Sequence, residues 1–419
     1  MAKTGAMKLM ISFVERGQGN DLAKFYAELI HKEGKDHAMA WNYAVKRFGQ
    51  EYVEECGVGH APDTWHTLYY WAMDNNENIE NLVELGLLKR NPEKGNLYDF
   101  YRGRLVVPIR DKMRRVIGFT ARRLDDTMED VAKYLNSSQS IIYDKSSSIF
   151  GIDSAYREAA KQEMFYLVEG APDVMKMQSV GINNVVAPLG GHWNEKQFQM
   201  LKKVAPAVCF INDADAIPNG KRYGAGIEFV LNNGRTAIME GLAVTVREIP
   251  NGEGNTKQDP GDFFTSKQRL RNDTKEEDFI LWSAAKLYDK EAISIRKAEV
   301  IRHISELASY INDDMRIDML LPELTKIYRG KEFWKNAIND IKWSRQNRQK
   351  KTDAIDLRKY GFFEEKGCYF GRADKGDVQW SNFTMKPLFH IKDKDSPRRL
   401  FLIRNCMKHE EMLDLSMEE

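Results

Sequence analysis

The sequence predicts an α/β chain organised around a central parallel sheet, preceded by helices and basic β-hairpins and followed by helices and a β-rich end. Three observations carry this. Two short apolar runs, Phe165 to Val168 and Val208 to Ile211, are bounded by turn residues and separated by helix-period sequence, the pattern of buried parallel strands. Strand-like and helix-like stretches then keep alternating to about residue 263, as a doubly covered parallel sheet requires. On either side the period changes, to helical spacing before residue 56 and again from Glu277 to Arg348. The expected divisions are 1–160, 161–275, 276–350 and 354–419.

Within the first division, FYAELIH, AMAWNYAVKRF and EYVEEC read as two or three helices, one near Asp36 to Phe48. Pro62, with Asp63 and Thr64, suits a helix start. RLVVPIRD and RRVIGFTARRL, parted by Asp111-Lys112-Met113, read as a β-hairpin, and KYLNSSQSIIYDKSSSIFGI as a polar Ser-rich loop. Ile152 to Gln162 reads as a helix. In the centre, APDVMKMQSVG is a helix ending at Gly181, NNVVAPL a strand, and NEKQFQMLKKV a helix with Asn194 and Gln197 spaced as a capping box. AVCFIND and LAVTVREIP are strands around a helix from Ile227 to Glu240, and KQDPGDFF is a polar turn. The basic run after Trp343 reads as a linker, residues 358 to 404 as a small sheet, and KHEEMLDLSMEE as a frayed helix.

Composition narrows the function. Hydrophobic residues are 42% and charged residues 30% of the 419, a globular profile. No apolar run nears the roughly 20 residues of a membrane span, and the N-terminus lacks a secretory signal, so a cytoplasmic protein without a membrane partner is expected. The four cysteines, Cys56, Cys209, Cys368 and Cys406, form no C-x-x-C pair, so neither zinc nor a disulfide framework is expected. Neither a P-loop nor a G-x-S-x-G motif is present.

The chemistry concentrates at the predicted strand ends. Glu169 follows the first central strand, and Asp213 and Asp215 follow another; ligands gather at such carboxyl ends. Asp173 lies one helical turn beyond Glu169 and can face the same crevice. Asp259 and Asp262 follow the next strand, although Asp-Pro-Gly is also ordinary turn chemistry. Converging carboxylates call for hard cations, which suit phosphoryl transfer. Residues 102–145 carry 10 Lys/Arg against 6 Asp/Glu, with Tyr134 and Tyr143 interleaved, a surface suited to nucleoside triphosphates or single-stranded nucleic acid, or simply a solvated charged face. His192 sits at a strand-to-helix junction, where a ligand contact and a local structural role are both open.

RGRLVVPIRDKMRRVIGFTARRLDD, KYLNSSQSIIYDKSSSIFGIDSA, LVEGAPDVMKMQSVGINNVVAPLGGHWNEKQFQML and FINDAD, in this order, resemble the catalytic core of DnaG-type bacterial primases, as does VGHAPDTWHTL upstream. The resemblance covers roughly residues 20 to 265. It implies a central toprim fold and a metal-dependent RNA polymerase site that makes short primers on single-stranded DNA from ribonucleoside triphosphates. It further implies that Glu169, Asp213 and Asp215 are catalytic and, with Asp173, Asp259 and Asp262, hold Mg²⁺ or Mn²⁺. By the same resemblance, Arg104, Arg122, Lys133, Asn136 and Lys145 contact template or nucleotide, and Arg102, on the same basic segment, is a further candidate. A replicative helicase, fused or separate, is the implied protein partner. The rivals are a toprim nuclease or strand-cleaving enzyme, and an inactive DNA-binding subunit.

The sequence also departs from the family pattern. The cysteines of the family's zinc ribbon have no counterpart, leaving open a fragment or a member that initiates differently. AIPNGKRYGAG lengthens the loop after D-x-D, and Gly261 stands where the D-P-D motif has its second acid. The tail from about residue 354 is similar to the connector of phage and mobile-element primase–helicases, which makes truncation before a helicase the expectation.

Overall fold

The computed structural model describes residues 13–14, 17–125, 127, 130–140, 142–214, 223–250, 252, 257–288 and 294–346 in full. Beyond 346 it describes the backbone of a helix end and of six strands between 362 and 416. The chain forms two compact units, Met1–Lys331 and Glu332–Glu419.

The first unit begins with helices α1 (Gln18–Leu29), α2 (Lys35–Phe48), α3 (Gln50–Cys56), α4 (Thr67–Asp74) and α5 (Ile79–Glu84). They accompany β1 (Gly59–Ala61), the small hairpin β2 (Leu88–Arg90) and β3 (Leu97–Asp99), then β4 (Arg104–Arg110), β5 (Val116–Arg123) and β6 (Tyr134–Asn136). The β4–β5 hairpin is the one the sequence predicts, and β1-β4-β5-β6 pair antiparallel throughout. Phe25, Tyr26, Leu68 and Phe119 fill a core between α1, α4 and this sheet. Pro62 does not open a helix: α4 starts five residues later, and the Asp99 carboxylate accepts from the Leu68 and Tyr69 N–H groups at 2.7 and 3.1 Å. A distant strand thus caps the helix, which local spacing does not reveal.

The second sheet orders its strands β12-β11-β10-β8-β9-β7. Its four central members are β8 (Met164–Leu167), β9 (Val185–Pro188), β10 (Ala207–Asn212) and β11 (Ala243–Glu248), all parallel as expected. The edges β7 (Ile149–Phe150) and β12 (Glu276–Asp278) are antiparallel and lie outside the expected 161–275. Phe165, Leu167, Val208 to Ile211, Val244 and Val246 are buried, which explains the continuous apolar runs. The accompanying helices are α6 (Ile152–Gln162), α7 (Ala171–Ser179), α8 (Glu195–Lys202), α9 (Ala225–Met239), α10 (Pro260–Phe263) and α11 (Lys267–Asn272). Asn194 and Gln197 form the predicted capping box of α8. On one face, α2 joins α7 and β9 in a shared core through Ala40, Ala44, Val174 and Val185, which fixes the N-terminal helices against the parallel sheet. Helices α12 (Phe279–Tyr288), α13 (Ser294–Ser309) and α14 (Asp314–Ile327) follow.

The second unit carries α15 (Lys331–Asp353) and strands β13 to β18 in two three-stranded antiparallel sheets. Here the structure corrects two readings. The basic run after Trp343 continues α15 instead of forming a linker; Arg, Gln and Lys favour helix. Glu410–Ser416, expected to be helical, is β18, paired along its whole length with β17. Pairing with a neighbour overrides the helix propensity of Glu, Met and Leu.

Candidate functional site: acids at the strand ends and a neighbouring groove

The register places the acids. Leu167 pairs with Phe210, so Glu169 leaves β8 two residues, and Asp213 leaves β10 three residues, beyond that pair. The two acids therefore emerge at neighbouring strand ends. Asp259 is brought alongside by an antiparallel bridge: the Ala214 N–H donates to Gln258 O at 2.9 Å, and the Gln258 N–H to Ala214 O at 3.1 Å. Gly226, entering α9, allows this crowding, because a Cβ there would stand 2.4 Å from Asp213 O. Asp173, in the first turn of α7, is buried and accepts from the Gly261 N–H at 3.2 Å.

These acids crowd one another. Burial pushes the Asp173 carboxyl up to about 7, and the negative charges of Asp213 and Asp259 add to it. Burial raises Asp213 to about 6, opposed by its ion pair with Lys257 and reinforced by Asp259. Lys257 Nζ lies 2.8 Å from Asp213 Oδ2 and 3.5 Å from Asp259 Oδ1. Glu169 is half-buried beside this group, and Asp215 lies outside the described residues. Asp262 is exposed and lines a groove with Tyr43, Lys46, Arg47 and Lys176, at one side of the buried acids.

Among the described residues, no three of Asp, Glu, His and Cys converge tightly enough to bind a metal as they stand. Two observations nevertheless fit a cation-binding role. Asp213 Oδ1 is buried and accepts no hydrogen bond among the described residues, and its partner oxygen already holds a positive charge. Oxygen donors of this kind suit a hard divalent ion.

The expected basic contacts divide into two groups. Arg104 does not stand on a basic surface: it is buried, and its guanidinium donates to Ala132 O at 2.8 Å, Lys133 O at 3.2 Å and Ala121 O at 3.4 Å. Arg122 is also buried, 4.4 Å above the Tyr43 ring, and donates to Arg123 O. Asn136 donates to Leu189 O at 2.6 Å, tying β6 to the end of β9. Tyr143 is a core residue and no part of an aromatic surface. Lys133 and Lys145 are exposed, as is Tyr134. Arg102 lies 4.0 Å over the ring of exposed Trp65 and 5.5 Å over Tyr98, forming an aromatic–cation platform.

Sequence reasoning missed the groove. Tyr43, Lys46 and Arg47 share one face of α2 at i, i+3 and i+4, a signal that was present, but only the packing of α2 on α7 sets them opposite Lys176 and Asp262. It also missed Lys257, which carries no motif.

A mostly parallel sheet in this strand order, with acids at the carboxyl ends of adjacent strands, defines a toprim-type α/β protein. Residues 166–263 match the family model described as Toprim-like, and residues 25–156 match the DNA primase catalytic core, N-terminal domain. Matched in this order, the two models make the chain similar to the catalytic core of DnaG-type DNA primases. It is 26% identical over 321 residues to a DNA primase of Staphylococcus aureus (strain COL), covering 76% of this chain and 48% of that one. The chain thus spans about half the length of the curated relative it matches. Among solved structures it resembles the Aquifex aeolicus primase zinc-binding and RNA polymerase domains, at 26% identity, TM-score 0.61, and coverage of 75% of this chain and 73% of that one. A DNA primase domain from Pseudomonas aeruginosa shares the fold at TM-score 0.63, 24% identical, covering 77% of this chain and 98% of that one. Among the described residues, no helix is long and apolar enough to cross a membrane.

Proposed function

We propose that this chain is the RNA-polymerising core of a primase, joining ribonucleotides on single-stranded DNA by metal-dependent nucleotidyl transfer. One observation carries the reading: buried Asp173, whose carboxyl feels the negative charges of Asp213 and Asp259, accepts from the N–H of Gly261, and Gly261 lines a groove with Lys46, Arg47, Lys176 and Asp262. Such a pairing of charges suits a triphosphate whose α-phosphate must meet the acids while its outer phosphates meet cations. Glu169, Asp213 and Asp259, with Asp215, would hold Mg²⁺ or Mn²⁺, which supplies charge neutralisation at the phosphate and activation of the attacking 3′-oxygen. Asp173 positions this group through the Gly261 N–H and keeps α10 against α7. Arg47 and Lys46 offer charge to the departing pyrophosphate. The Trp65–Arg102 platform and exposed Lys133 and Lys145 give a template bases to stack on and phosphates to pair with. Arg104, Arg122 and Asn136 keep those strands in place without contacting substrate.

The domain reading that supports this places the N-terminal α+β part at 1–160, the toprim part at 161–275 extended by β7 and β12, and helices after it. A fused or separate helicase partner remains part of the proposal, suggested by the β-rich tail.

The test is incorporation of labelled ribonucleotides on defined single-stranded templates. RNA product that requires Mg²⁺ or Mn²⁺ is expected. Cleavage of the template in place of product would instead establish the nuclease reading, and metal-independent DNA binding alone would establish the inactive-subunit reading.

A further inference from the structure

Lys257 belongs to no motif, yet it makes the closest charged contact with the buried acids. It stands two residues before Asp259, on the segment that the Ala214–Gln258 bridge lays against Asp213. Its side chain is 54% exposed, whereas that of Asp213 is 8% exposed, so the stem crosses the rim and the ammonium seats on a buried carboxylate. The same Nζ reaches Asp259 Oδ1 at 3.5 Å. One cation of the chain therefore holds two of the acids assigned above to the divalent ion.

The neighbouring sequence sharpens the point. Gly261 stands two residues beyond Asp259, where a second carboxylate would add charge, and this position resists a side chain: a Cβ would lie 3.0 Å from Asp173 Oδ1 and 3.4 Å from the Lys176 Cβ. This stretch thus carries one carboxylate less and contributes an ammonium. The lone pairs of Asp213 Oδ2 that accept from Lys257 are not available to a metal at the same time. Asp213 Oδ1, which accepts no hydrogen bond among the described residues, offers the metal its first approach.

We propose that Lys257 is an internal counter-cation that holds Asp213 and Asp259 together and competes with the divalent ion for them, so that it sets the metal concentration at which the site fills. The inference rests on the metal-dependent reading of the site. On metal entry the ammonium swings to solvent along its exposed stem, and the two carboxylates exchange one positive partner for another. The Lys257 contact and the metal are then linked: whatever free energy the ion pair contributes is subtracted from metal affinity.

Direct Mn²⁺ titration followed by electron paramagnetic resonance, on the full chain after EDTA treatment, tests this without reference to activity. Lys257→Met is expected to bind Mn²⁺ more tightly than wild type by roughly twofold to fivefold, the scale of a partly exposed ion pair. Without metal, Lys257→Met should melt below wild type, and the gap should close as Mn²⁺ saturates. If Lys257→Met does not fold, Lys257→Gln, which keeps a donor for Asp213 but no charge, takes its place with the same expectation. Unchanged or weaker Mn²⁺ binding overturns the inference, since the ammonium would then support the metal instead of competing with it. Asp213→Asn separates the two levels. If wild type binds Mn²⁺ through Asp213 while the Lys257 variants match wild type, this inference alone fails. If Asp213→Asn and wild type bind Mn²⁺ equally, the site reading fails and this inference falls with it.

Discussion

At the carboxyl ends of β8 and β10, charged groups are pressed against one another; on β4 and β5, charged groups are pressed against carbonyls and a ring. Asp213 and Asp259 raise the proton affinity of Asp173, Asp259 raises that of Asp213, and the cation that relieves Asp213, Lys257, reaches in from the rim. Arg104 instead satisfies three backbone carbonyls around β5 and the strand-entry segment 132–133, while Arg122 covers Tyr43. The acids are held in a costly arrangement that a bound cation would relieve, which favours them as the site proposed above. The Arg104 guanidinium spends its hydrogen bonds on backbone carbonyls and that of Arg122 lies over a ring, contacts that favour an architectural role for both. Residue type does not separate these cases. What separates them is the company each charge keeps: like charges at the strand ends, carbonyls and a ring around the arginines.

Breaking the comparison on the basic side should produce the larger stability effect. Arg104→Ala would remove a buried side chain and its hydrogen bonds to Ala121 O, Ala132 O and Lys133 O, and is expected to destabilise the first unit by about 2–4 kcal/mol, read by thermal or urea unfolding. If Arg104 were a template contact, the variant would melt like wild type and lose DNA affinity, and the division drawn here would collapse.

A smaller, pH-dependent effect is expected on the acidic side. The folded-state proton affinity of Asp173 lies well above its ordinary value of 3.8, at about 7. The folded chain therefore binds this proton more tightly than the unfolded chain, and the group costs stability progressively as pH rises through that interval. Asp173→Asn keeps an acceptor for the Gly261 N–H and removes the charge. In EDTA it should gain on wild type between pH 4 and pH 8, with the difference levelling off above about 7. A difference in melting temperature that is flat with pH would show that Asp173 is not held in the crowded state described.

Much of this was legible in the sequence, and the failures have physical causes. β9 and β10 announce themselves because burial on both faces leaves unbroken apolar runs, β8 and β11 because buried and half-buried positions alternate along them, and the α8 capping box is a local signal that local residues complete. β7 and β12 are two and three residues long, too short to show any period, and exist only because a neighbouring edge was available. The strand identity of Glu410–Ser416 is set by β17, against its own composition. At the site, the order of Glu169, Asp213 and Asp259 along the chain was readable, since strand ends carry position. The burial of Arg104 was not, because a basic residue on a strand looks the same whether it faces water or three carbonyls. Arg47 and Lys257 were invisible for the complementary reason: each gains its meaning from residues distant in sequence, Lys176 and Asp262 for Arg47, and Asp213 across a β-bridge for Lys257.

The central claim is that the acids at the strand ends carry the chemistry while the basic and aromatic surface holds the nucleic acid. It is tested most directly by measuring ribonucleotide incorporation and single-stranded DNA binding together for wild type and Asp213→Ala, with Mg²⁺ or Mn²⁺ present. Synthesis is predicted to fall by roughly 10²–10³-fold, the scale of losing a principal electrostatic group from an active site, with DNA affinity nearly unchanged. Product formation that persists in Asp213→Ala, or DNA binding lost in step with it, would contradict the account.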